Sequence, residues 1–158
     1  MIEGVLQGTS QEVATFRDPA GSLSIRGEQV LRTVDPRYAP ACLHFLLSAL
    51  AKEWTSQGHL IQSEVVSAGE NQPLVLQHPR VFFPSYPWEW SAGQWVAAAE
   101  LTLELCTQLL HQGWILKDAT PLNILFEGPR PIFVDVLSIE RRDPASLVAH
   151  HTRLAGDV

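Results

Sequence analysis

Apolar and polar residues alternate through the first third of the chain and give way to two stretches of helical repeat. Alternation over residues 12–17, 22–26 and 28–34 predicts three strands. The first break between them is Asp18-Pro19-Ala20-Gly21, where Pro presets φ and Gly is expected to supply a positive φ. The second break is Gly27. These strands form a three-stranded antiparallel sheet in this reading. Asp35 followed by Pro36 then reads as a helix start, and Leu43, Leu46, Leu47, Leu50 and Trp54 recur at helical spacing until Gly58. One amphipathic helix is expected there. Residues 60–66 and 73–78 read as two further strands, and the prolines of RVFFPSYPWEW keep the following segment extended.

A second helix is expected over about residues 92–112. Ser91 and Gln94 have the spacing of a capping box, and Gly113 suits the position after the last turn. Ala98, Leu101, Leu105 and Leu109 form one apolar row, and Val96, Ala99, Leu103, Cys106 and Leu110 form another beside it. Two rows predict a helix buried over much of its circumference, with Glu100, Glu104, Gln108 and His111 solvated. Beyond it, Asn123 opens a strand, Gly128 and Pro129 make a turn, and residues 131–136 run back. Such a hairpin brings Asn123 and Asp135 to the same end, with Asp118 in the loop that leads in. Three groups able to ligate a metal are thus expected around one cleft. Asp118 and Asn123 are also residue types that cap backbone N–H groups in ordinary polar turns.

An Asp, an Asn five residues later and an Asp at a strand end resembles the way protein kinases place a catalytic Asp and two metal ligands around Mg-ATP. The wording LKDATPLNILF and PIFVDVLSIE, with FRDPAGSL, QVLRTV and PSYPWEWS upstream, is similar to the kinase-like N-terminal region of bacterial proteins related to nodulation protein NoeA. The resemblance implies a small two-lobed α+β fold within residues 1–142. Its parts are a sheet-and-helix lobe over about 12–83, a hinge over about 84–90 and a partial second lobe over about 91–142. Residues 143–158 are expected to be a loosely ordered or short helical tail.

The same resemblance implies roles for individual residues. Asp118 would orient or deprotonate an acceptor hydroxyl, with Lys117 in the place of the Arg that precedes it in kinases. Asn123 and Asp135 would hold Mg²⁺. Arg32 stands where a strand lysine would reach the phosphates of ATP, with Glu53 as its ion-pair partner and Glu64 as the alternate, and Gly21 lies in the phosphate-covering turn. An ordinary strand-surface charge is an equal reading of Arg32. The departures are L-K-D for H-R-D, D-V-L for D-F-G, one glycine where kinases have three, and Arg for Lys. They imply a nucleotide- and metal-binding module that is catalytically weak or inactive. In the resembled proteins a methyltransferase domain that uses S-adenosylmethionine follows this region. The family context is therefore methyltransferase-associated modification of a small molecule or glycan. The alternatives are an active small-molecule phosphotransferase using Asp118, and a non-catalytic module that docks a methyltransferase partner.

Composition narrows the picture. With 158 residues, 46% hydrophobic and 18% charged, the chain has the content of a globular domain. A net charge of -6 without any basic run argues against nucleic acid as a partner. Cys42 and Cys106 sit in apolar helical segments, which suggests buried reduced thiols and a cytoplasmic setting. No apolar run reaches the length of a membrane span, and residues 1–10 lack the pattern of an export signal. The six histidines show no zinc-site spacing, and the aromatics of PSYPWEW are expected to pack on their own domain more readily than on a ligand.

Overall fold

The structure is a computed structural model that describes residues 11–13, 20–69 and 72–143. It is an α+β fold built on a five-stranded antiparallel sheet. β1 (Gln11–Val13), β2 (Gly21–Arg26) and β3 (Gln29–Val34) form the expected meander. β4 (Glu64–Gly69) and β5 (Gln72–Pro79) extend it in the order β1-β2-β3-β5-β4. Gly27 takes a positive φ of 61° at the β2–β3 turn, where most other residues would be strained.

Gly21 differs from expectation. It is the first residue of β2, paired with Val34, and it is not among the described glycines of positive φ. Its missing side chain serves a close approach instead, because a Cβ would collide with the Thr33 carbonyl oxygen. Asp18 and Pro19 of the expected turn, and most of the strand over residues 12–17, lie outside the described residues.

The first helical segment is two helices. α1 (Ala39–Leu46) starts after Tyr38, with Pro40 in its first turn, while Asp35 lies outside and binds the Arg37 N–H at 2.9 Å. α2 (Ala49–Gln57) starts afresh at Ser48, whose extended backbone lets its hydroxyl accept from the Ala51 N–H at 3.1 Å. That cap interrupts the helix and leaves Leu47 exposed. Gly58, at φ 76°, ends α2 as read from the sequence. The strand expected at residue 60 begins only at Glu64, because Leu60 and Ile61 are engaged elsewhere: Ile61 donates to the Phe133 carbonyl at 2.9 Å and Phe133 donates to the His59 carbonyl at 2.8 Å.

α3 (Ala92–His111) is bounded as its sequence signals, by the reciprocal Ser91–Gln94 capping box and by Gly113 at φ 74°. Its packing departs from the two-row reading. Ala98, Leu101, Leu105 and Leu109 are buried, but Val96, Leu103 and Leu110 are exposed. β6 (Trp114–Leu116) pairs with β9 (Ile139–Arg141), and β7 (Ile124–Glu127) with β8 (Arg130–Phe133). In the core Phe45 meets Trp114 edge-on at 5.4 Å and Trp54 at a tilt at 6.0 Å, and the Trp54 indole N–H donates to Gln108 on α3 at 2.6 Å. Each such side chain contributes about 1.5–3 kcal/mol on burial, so this cluster holds α1 and α2 against the second half of the chain. No described helix is long and apolar enough to cross a membrane. Both cysteines are free thiols, Cys42 buried and Cys106 partly so.

Candidate functional site

The sheet register decides which side chains meet. Leu23 faces Arg32 across β2–β3 and Val30 faces His78 across β3–β5, and with Ile25 these residues line a cavity of about 370 Å³. Its other walls are Ile61, the Pro79–Val81 segment, Pro84, Tyr86, Leu125 of β7 and Val134 just after β8. The cavity therefore lies between the five-stranded sheet and the β7–β8 hairpin. A concavity of about 660 Å³ beside α1 is larger, but no titratable side chain lines it among the described residues.

Arg32 Nη1 donates to Asp135 Oδ1 at 2.7 Å, with both side chains largely buried at 10% and 18% exposure. Asp135 precedes a 3-10 turn, Val136–Ser138, in which the Ser138 hydroxyl and N–H both donate to the Asp135 carbonyl. The three residues of that turn are buried, which fixes the backbone where a D-F-G glycine would loosen it.

Asn123 and Asp135 do come to one end of the hairpin: the Val134 N–H donates to the Asn123 carbonyl at 2.9 Å. The Asn123 side-chain amide donates to the Asp118 carbonyl at 2.9 Å and so holds the Asp118 loop to the hairpin. Asp118 itself is exposed. The Lys117 N–H donates to the Ser138 carbonyl at 2.8 Å, and its ammonium lies over the Tyr38 ring at 5.1 Å. Among the described residues no group of three or more His, Cys, Asp or Glu side chains forms a preassembled cation site.

The ion pair expected between Arg32 and Glu53 is replaced by Arg32–Asp135. Leu50, Ala51 and Trp54 fill the inward face of α2, so Glu53 points outward and accepts from Gln57 at 3.2 Å. Glu64, the alternate, is likewise exposed and accepts from Gln62. The expected hinge contributes Pro84 and Tyr86 to the cavity, alongside Pro79, Arg80 and Val81 just before it. Trp88 is 74% exposed and stacks on Tyr86, whereas Trp90 packs against Trp95 and Phe126 in keeping with the packing reading.

Sequence reasoning missed His78. It is 4% exposed, and Nδ1 lies 3.1 Å from both the Gln62 carbonyl and the Ser63 hydroxyl. A carbonyl only accepts, so Nδ1 carries the proton and Nε2 presents a lone pair. Nε2 is buried and has no hydrogen-bond partner among the described residues. Burial, and then the Arg32 charge, push the pKa down to about 4, so the ring is neutral near pH 7. The available signal was period two: Leu74, Leu76 and His78 share one face of β5, all buried.

No family model matches the chain. It is 36% identical over 133 residues to nodulation protein NoeA of Rhizobium meliloti (strain 1021), an alignment covering 80% of this chain and 27% of that protein. The chain is thus a relative of NoeA over most of its own length, and it spans about a quarter of the relative's.

Proposed function

We propose that the cavity between sheet and hairpin is a nucleotide site, and that the chain is a kinase-like, catalytically weak or inactive module acting in a methyltransferase-associated context. The observation that carries this reading is one juxtaposition. An apolar slot suited to a planar base lies beside a cation and a carboxylate, Arg32 and Asp135, from opposite walls. A base would enter between Leu23, Val30, Leu125 and Val134. Its phosphates would extend toward Arg32, with Mg²⁺ held by Asp135 and the Asn123 side-chain oxygen. Phosphoryl transfer would leave Asp118 to orient an acceptor hydroxyl on a small molecule or glycan.

The same geometry accounts for weak activity. Arg32 and Asp135 neutralise each other at 2.7 Å, so Mg-nucleotide has to separate an ion pair before either group serves it. Thermal melting with ATP, with and without Mg²⁺, tests the reading. Ligand in hundredfold excess over its Kd stabilises by about 2.7 kcal/mol, and a smaller, metal-dependent shift is expected here, reduced in Asn123→Ala. A shift that ignores metal removes Asn123 and Asp135 from the site. No shift under any condition favours a module that docks its methyltransferase partner without a ligand.

A further inference from the structure

α3 carries more apolar surface than its own core uses. Ala98, Leu101, Leu105 and Leu109 face inward. Ala92, Val96, Ala99, Leu103, Cys106 and Leu110 follow one another at alternating steps of four and three, the spacing of a coiled-coil seam. At about 100° per residue this second row is centred roughly 135° round the helix from the buried one. Val96, Leu103 and Leu110 are 58%, 67% and 48% exposed, and Glu100 and Glu104 separate the two rows on one side. An apolar stripe along the whole of a 20-residue helix marks an interaction surface rather than scattered exposure.

We infer that this stripe is a homodimer interface, in which two copies of α3 pack antiparallel about a two-fold axis. The size pattern singles out a second copy as the occupant. Large and small residues alternate along the seam, with Val96, Leu103 and Leu110 at one heptad position and Ala92, Ala99 and Cys106 at the other. In an antiparallel pair these two positions face each other. A two-fold axis at the level of Leu101 sets Leu103 against Ala99, Val96 against Cys106 and Leu110 against Ala92 of the second copy. Every large side chain then meets a small one along the seam, which is the condition for close helix approach without overpacking. The contact is isologous, so the one stripe supplies both sides and the assembly closes at two. Glu100 lies beside the axis and approaches its own symmetry mate, a like-charge contact that weakens the pair. One helix pair is a small interface, and association is accordingly weak and visible in a concentration series.

Sedimentation of the full chain over a concentration series tests this directly, with circular dichroism confirming that each variant is folded. The wild type shifts from monomer to dimer. Leu103→Glu, at an exposed position, raises the dissociation constant at least tenfold. Ala99→Leu alone also weakens the dimer, because the new leucine opposes Leu103 of the second copy. Combining Ala99→Leu with Leu103→Ala exchanges large and small and restores association to within a few-fold of wild type. Glu100→Gln tightens it. In Val96→Cys, mild oxidation gives a covalent dimer through Cys106 of the second copy. A chain that stays monomeric at every concentration overturns the proposal and leaves the stripe to some other polypeptide. A dimer indifferent to Leu103→Glu, or a double variant no better than Ala99→Leu, overturns it as well.

Discussion

The sheet wall of the cavity and the loop that leads into the hairpin are built on opposite terms. On the sheet wall, Arg32 and His78 are buried, locked by register, and tied to partners far away in sequence. In the loop that leads into the hairpin, Lys117 and Asp118, which do not line the cavity, are exposed and are held by main-chain contacts and one amide. Under the proposed reading, the groups that hold ligand would sit on a rigid sheet and the group that meets an acceptor on a loop that can adapt. Substitutions should therefore cost much stability on the sheet wall and little in the loop.

The largest effect is expected for Arg32→Met, which leaves the Asp135 carboxylate largely buried without its cation. Urea unfolding should show a loss of roughly 3–4 kcal/mol; a loss under 1 kcal/mol would place the pair effectively in solvent. His78 follows. The unfolded chain protonates it near pH 6.5 and the folded one only near 4. The native state therefore binds fewer protons, and stability falls as pH drops through that window, by up to about 3 kcal/mol at the acid end. Replacing it by Gln should flatten this part of the curve. Gly21→Ala drives a methyl group into the Thr33 carbonyl and should cost about 2 kcal/mol. An unchanged melting temperature would mean that β2 shifts freely. The smallest effects are expected in the loop: Lys117→Ala and Asp118→Asn should each change stability by less than about 0.5 kcal/mol. If a preparation transfers phosphate at all, Asp118→Asn should abolish the transfer while leaving nucleotide-induced stabilisation intact.

Local signals carried much of this fold. The Ser91–Gln94 capping box and Gly113 bound α3 where they predict, and Gly128 turns the hairpin that brings Asn123 beside Asp135. What escaped depends on tertiary context. Ser48 sits within an apolar repeat and interrupts the helix only because its hydroxyl finds the Ala51 N–H. Arg32 and Asp135 are 103 residues apart, and no spacing rule announces such a pair. The seam residues of α3 read as core because periodicity reports an apolar face without saying what covers it. For His78, alternation along β5 was legible, but its neutral, half-satisfied state depends on Gln62, Ser63 and Arg32.

Phe133 is straddled by main-chain bonds to His59 and Ile61 and joined to Leu60 by a parallel bridge. A fold with its ligand slot between two halves ordinarily gains or loses width by hinging, and these bonds pin the halves together beside the slot. Opening would break two buried backbone hydrogen bonds at once. Under the proposed nucleotide reading, the slot would act as a gauge of fixed width, selecting by thickness before charge. Amide exchange at Ile61 and Phe133 should be as slow as in the centre of the sheet, with or without nucleotide.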